Sequence, residues 1–244
     1  MSGPGVESAA ASILQRGVDL DNKRRYTEAL VCYQEGLQLL VNILKNVTDS
    51  GKKTYLRSKV EGYMSRAERL KKVIEEEKDA GKYHEQIHIE SDSTGHSYRA
   101  VFGRFLDEEV TRVDVEDPYI RTFHQCQNLL RLSELLVKSC SNLRSICLLT
   151  SVDGSSRDQA QWLDAIKQNL QVYKVTLTVQ FSDTLHDRQI KLSNGWVIKI
   201  GRGLDYFKPP IGKFCLGLFD LDLRQCHETT VDIFHSKDVK MLWG

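Results

Sequence analysis

The chain lacks any surplus of charge: 34 basic residues stand against 33 acidic ones, a formal net charge of +1. There is then no global field to draw in nucleic acid or a membrane, so an anionic partner must be met by a local patch. No nucleic-acid partner is expected. No apolar run approaches the length of a membrane span. The opening MSGPGVESAA has no basic region followed by an apolar one, so no secretory signal is expected. With Gly3 one place too late, the myristoylation pattern fails as well. The six cysteines, Cys32, Cys126, Cys140, Cys147, Cys215 and Cys226, form no CxxC pair. They read as reduced thiols of a cytosolic protein, not as a disulfide frame or a zinc ribbon. Long repeats and low-complexity segments are also missing.

What is present divides in two. The first eighty residues carry only helical periodicity. Ala10, Ile13, Leu14, Gly17 and Val18 mark a short first helix. A second spans about Tyr26 to Lys45 with two apolar stripes: Ala29, Tyr33, Leu37, Leu40 and Leu44, and Cys32, Gly36, Leu39 and Ile43. A third follows an Asp49 or Ser50 cap and runs to about Lys78, carrying Leu56, Val60, Tyr63, Met64, Ala67, Leu70 and Ile74. From Tyr83 the texture changes. EVTRVDVED, SICLLTS, VYKVTLTVQF and VDIF read as strands, and SYRAVFGRFL, TFHQCQNLLRLSELLVK and SRDQAQWLDAIKQNL as helices between them. QIKLSNGWVIKI reads as a hairpin turned at Asn194-Gly195. The expected fold is α + α/β: a three-helix bundle at 1–81, a linker at 82–90 and an α/β domain at 91–244.

Helix 2 is apolar on two sides, so it has two things to pack against. Its second stripe either meets helix 3 or lies open beside Met64 and Lys71. Small residues there, Gly36 and Ala67, suit the close approach of an amphipathic helix from a partner. A complete bundle with ordinary exposed apolar residues and a single tetratricopeptide-like hairpin are the alternatives these residues leave open.

The motif HEQIH, residues 84 to 88, matches HExxH, which binds zinc only when a helix brings both imidazoles to one ion. Here Ile87 and Ile89 alternate with His88 and Glu90, as in a strand. His84 and His88 would then lie too far apart for a shared metal, and no metal or cofactor is expected.

YTEALVCYQEGLQLL followed by KVEGYMSRAERLK resembles the microtubule-interacting-and-trafficking (MIT) domain over residues 8 to 80. RGLDYFKPP and CHETTVDIFH resemble stretches of the phospholipase-D-like domain that one family joins to it. The resemblance implies capture of ESCRT-III subunits by their C-terminal helical tails, between helices 2 and 3. It places Met64 at the centre of the groove, Val60, Ala67 and Lys71 beside it, and Cys32, Gly36 and Leu40 opposite. Ser65 stands where relatives often have an acid, and Glu68 could take that role.

HDRQIKLSNGWVIKIGRGLD, residues 186 to 205, is similar to the phospholipase-D motif H-x-K-x4-D. His186 stands at the nucleophile, Arg188 at the lysine and Ser193 at the aspartate. The orienting carboxylate is therefore missing, and the chain carries one copy where two act together. No catalytic residue is expected. His186 and Arg188 are read instead, with Lys199, Arg202, Lys208 and Lys213, as an anion-binding surface for acidic phospholipids, phosphoinositides included. The alternative is a dimeric phosphodiesterase or nuclease with a composite site of two His186 residues.

The resemblance completes the expectation. This would be a non-enzymatic adaptor in cytokinetic abscission, cytoplasmic and peripheral on late endosomal membrane and midbody. It would be a homodimer through its C-terminal domain, with two grooves that raise weak tail affinities by effective concentration.

Overall fold

A computed structural model describes residues 4–152, 154, 158–237, 239, 241 and 242. The chain folds as two compact units that divide between Glu85 and Gln86.

The first unit holds α1 (Pro4–Asn22), α2 (Tyr26–Asn46) and α3 (Ser50–Asp79). The polar break DNKRR ends α1, and Arg24 takes the left-handed conformation (φ 59°) that turns the chain into α2. Asp49 caps α3: its carboxylate accepts a bond from the Lys52 N–H at 2.6 Å. Gly81 (φ +63°) follows the last turn, where a residue without Cβ adopts this geometry freely. Leu14, Ala29, Tyr33, Leu40, Ile43, Leu56, Val60 and Leu70 make the shared core.

The second unit is a seven-stranded sheet in the order β1-β7-β6-β5-β2-β3-β4. Its strands are β1 (His84–Ile89), β2 (Arg112–Glu116), β3 (Ser145–Thr150), β4 (Thr176–Phe181), β5 (Gln189–Leu192), β6 (Trp196–Ile200) and β7 (Thr229–His235). β2, β3 and β4 pair in parallel. Parallel neighbours need crossovers, and α5 (Phe123–Ser139) and α6 (Asp158–Val172) supply them. β5, β6 and β7 add antiparallel, with β5 joining β2. The β5–β6 hairpin turns at Asn194-Gly195, where Gly195 has φ +97°.

Three segments differ from the sequence reading. SYRAVFGRFL is a short helix, α4 (Tyr98–Phe102), then one 3-10 turn, because Gly103 ends the regular helix. Val172 belongs to α6, and the chain reverses at Lys174 (φ 60°) before β4. Residues 82–90, read as a linker, contain β1: Glu85, Ile87 and Ile89 are buried in alternation with exposed His84, Gln86 and His88. The first two residues of the helix read from SRDQ, Ser156 and Arg157, lie outside the described residues.

Candidate functional site

On α3, four-residue and three-residue steps line up Val60, Met64, Ala67 and Lys71 along one strip. Val60 and Ala67 are buried, at 8% and 7% exposure, whereas Met64 is 48% exposed. A bulky apolar side chain thus stands in water between two core residues. Glu68 and Lys71 are exposed beside it, so an acid and a cation border the strip.

The wall opposite differs from the sequence reading. Cys32 and Gly36 face α1 rather than an open groove. A methyl group at Gly36 would lie 2.5 Å from Leu14 Cγ, and one at Gly17 would lie 3.2 Å from Cys32 Cβ. The second stripe of α2 is the seat of α1, where the missing side chains of Gly17 and Gly36 let the two helices approach. Leu40, at 8% exposure, is core. Rotating round α2 away from α1, Tyr33 meets Tyr63 of α3 with ring centroids 5.8 Å apart. The face beyond it carries Leu30, Leu37, Val41 and Leu44, each half-buried against the core. Three of these four, Leu30, Leu37 and Val41, were not singled out as partly exposed by the sequence reading. Their helical spacing was the available signal, but Leu37 and Leu44 also fit a core stripe.

A second cleft, of about 500 Å3, opens between α1 and α3. Val18, Asp21, Gly62, Arg66 and Arg69 are among its walls, and Tyr33 and Tyr63 contribute to it.

In the second unit, His186 is exposed on the loop before β5. With Arg188, Lys199, Gly201, Thr230 and Asp232 it borders a shallow depression of about 300 Å3. Arg188 is half-buried and occupied. Its Nη1 donates to the Gly201 carbonyl at 2.6 Å, and its guanidinium lies 4.4 Å from the Tyr119 ring centroid. Ser193 is at the other end of β5. Its Oγ accepts from the Thr111 and Arg112 N–H groups at 2.9 and 3.2 Å. Six residues of strand and loop separate it from His186, on the order of 20 Å if extended.

The expected cations are not equivalent. Lys199, Arg202 and Lys213 are exposed. Lys208 is paired: its Nζ meets Asp92 Oδ1 at 2.8 Å and Ser91 Oγ at 3.1 Å, and this bond holds the Asp92 carboxyl below its usual range. Burial, then the nearby Arg202 and Lys208 charges, hold the His227 imidazole below its ordinary pKa, which places those two cations in one neighbourhood.

HEQIH lies on β1. His84 and His88 share its exposed face about 13 Å apart, at 3.3 Å per residue. His88 pairs with Glu228 at 3.5 Å, and Glu85, which a metalloprotease would use as base, accepts a bond from the Tyr83 hydroxyl at 2.8 Å. Among the described residues no helix is long and apolar enough to cross a membrane.

Of solved structures, a phospholipase D family member, Nuc from Salmonella typhimurium, aligns with a TM-score of 0.37 and 11% identity over 63% of this chain and 84% of that one. MIT domain-containing protein 1 of Mus musculus is 52% identical over 237 residues, 96% of this chain and 95% of that protein. The MIT (microtubule interacting and transport) domain matches residues 7–72, and the family described as "Phospholipase D-like domain at C-terminus of MIT" matches residues 95–235. By this identity and these two matches, the chain belongs to the family that joins an MIT domain to a C-terminal phospholipase D-like domain.

Proposed function

We propose that this adaptor-type MIT protein captures ESCRT-III subunits by their C-terminal helical tails and carries them to acidic membrane during cytokinetic abscission. The observation that supports it best is Met64, half-exposed between buried Val60 and Ala67. A leucine on an amphipathic tail helix would cover Met64 and reach the half-buried Leu37 and Val41 of α2. Lys71 and Glu68 at the edge would select charge and register on the tail. Weak single-site affinity suits a partner that is a polymer, and a homodimer through the second unit would engage two tails at once.

The second unit acts in this reading as a dimerising, membrane-facing module, not as a phosphodiesterase. Arg188 is held by Gly201 and Tyr119, and Ser193 is neither a carboxylate nor near His186. The motif's own orienting carboxylate, which would fix the tautomer of the attacking imidazole, is therefore missing. The protein would work in the cytoplasm and at the surfaces of midbody and late endosomal membrane.

Met64→Asp tests the groove. An unpaired carboxylate buried by an incoming leucine would cost about 3 kcal/mol or more, over a hundredfold in affinity. Folding should survive, because half of the side chain is already in water. Titration of ESCRT-III tail peptides into both proteins is the measurement. Unchanged affinity in the folded variant would move the site off this strip.

A further inference from the structure

The connection between β6 and β7 contains a tip that no part of the described molecule covers. Ile211, Phe214, Leu216 and Phe219 are 96%, 104%, 87% and 91% exposed. Single exposed apolar residues are ordinary, but four bulky ones within nine residues are not. The tip is held out by its base. Arg224, itself 8% exposed, donates from Nε to the Gly217 carbonyl, from Nη2 to Leu218 at 2.9 Å and from Nη1 to Lys208 at 3.3 Å, so it ties both arms of the loop together. Gly217 has φ +82°, and a Cβ there would meet the Leu223 carbonyl oxygen at 2.7 Å.

We propose that this tip, Pro209–Phe219, is a membrane-insertion loop that seats Ile211, Phe214, Leu216 and Phe219 among the acyl chains beneath an acidic lipid surface. The proposal deepens the membrane contact described above and rests on it. Three features favour lipid over a protein partner. The stretch PPIGKFCLGLF carries one charge, Lys213, and almost no side-chain hydrogen-bonding capacity. A protein interface of useful size needs about one hydrogen bond per 100–200 Å2. Four carbonyls of the tip and one N–H already have local partners, which lowers the cost of entering an apolar medium there. Gly217 and Leu218 accept from Arg224, Gly212 accepts from the Cys215 thiol at 3.1 Å, Cys215 accepts from the Leu218 N–H at 3.3 Å, and two prolines have no N–H to offer. Finally, Lys213 in the tip and Arg202 outside it are exposed cations that can meet headgroups while the apolar side chains go deeper.

The test uses the full chain and vesicles of phosphatidylcholine with and without phosphatidylserine. Phe214→Trp reports depth through quenching by brominated lipid, differenced against the parent protein. Ile211→Ser, Phe214→Ser and Phe219→Ser combined remove the wedge without touching the core. The expected results are a quenched, blue-shifted Trp and, in the triple variant, acidic-vesicle binding weaker by about tenfold or more, with the binding that survives high salt lost first. A protein that binds acidic vesicles while its Trp stays unquenched would overturn insertion and leave the membrane contact standing. A parent protein that binds no vesicle would overturn both. A triple variant that turns from dimer to monomer by light scattering, with vesicle binding by its monomer unchanged, would show that the tip meets a second copy instead.

Discussion

Arg66 of α3 closes on Asp21 of α1 with two hydrogen bonds, Nε to Oδ2 at 2.6 Å and Nη2 to Oδ1 at 2.5 Å, while Tyr33 of α2 donates its hydroxyl to Oδ2 at 3.0 Å. One carboxylate therefore fastens all three helices. The Asp21 side chain is 9% exposed and that of Arg66 40%, so the pair is screened on one side only. Arg66 holds the Asp21 carboxyl below its usual range despite burial, and burial with the Asp21 bond pushes the Tyr33 phenol up to about 12.

Asp21→Asn should loosen the bundle by about 1–2 kcal/mol at neutral pH, since a bidentate charged pair is replaced by a neutral amide. The sign with pH follows. A carboxyl whose folded-state pKa lies below its unfolded value stabilises above the unfolded value, and that stabilisation fades as pH falls through the folded one. Hydrogen exchange of α1 and α3 amides should separate parent and variant at pH 7 and bring them together toward pH 3. A difference of the same size at both pH values would mean that the charge on Asp21 is not what matters.

Gly36→Ala should destabilise the α1–α2 pair, because the added methyl meets Leu14 at 2.5 Å. Overpacking costs about 1–3 kcal/mol, offset by about 1 kcal/mol of helix propensity. Urea unfolding followed by helical ellipticity should show the loss, and tail affinity should be kept under folding conditions. Lost affinity at full stability would return Gly36 to the binding groove.

The helices and most strands were legible because their signal is local. Periodicity, the Asp49 cap and the Asn194-Gly195 turn act over a few residues. What sequence could not supply was the neighbour. Two stripes on α2 announce two contacts, but a small residue such as Gly36 serves a helix of the same bundle as well as one from a partner. Lys208 reads as a free cation because its partner, Asp92, is 116 residues away. The alternation of Ile87 and Ile89 with His88 and Glu90 already reads as a strand, but turn residues on both sides, Gly81 and SDSTG, make residues 82–90 read as a linker. Nothing in the sequence singled out Ile211, Phe214, Leu216 and Phe219, since composition does not reveal which apolar residues the fold leaves outside.

Phosphodiester hydrolysis should be absent. Purified protein should leave phosphatidylcholine, cardiolipin and single-stranded DNA intact to the level of a His186→Ala control. With Arg188 engaged by Gly201 and Ser193 bonded to Thr111 and Arg112, neither of the two later motif positions is arranged to assist His186. Turnover present in the parent and gone in the control would establish the dimeric composite site instead.

The cations should divide by whether they are paired. Lys199, Arg202 and Lys213 are exposed, while Lys208 gives its charge to Asp92. Each free cation near an anionic surface contributes about 1 kcal/mol, so three reversals, Lys199→Glu, Arg202→Glu and Lys213→Glu, should cut acidic-vesicle binding by well over tenfold. Lys208→Ala should change it little, because the charge removed was already matched. The attraction is screened beyond about 10 Å at 0.1 M salt, so the contrast should be largest in low salt and shrink as salt is added. Co-sedimentation of the four single variants and the triple variant at two ionic strengths is the measurement. If Lys208→Ala proved as damaging as Arg202→Glu, the Asp92 pair would have to open at the membrane, and the working patch would be centred on the Lys208–His227 side of the loop rather than on Lys199.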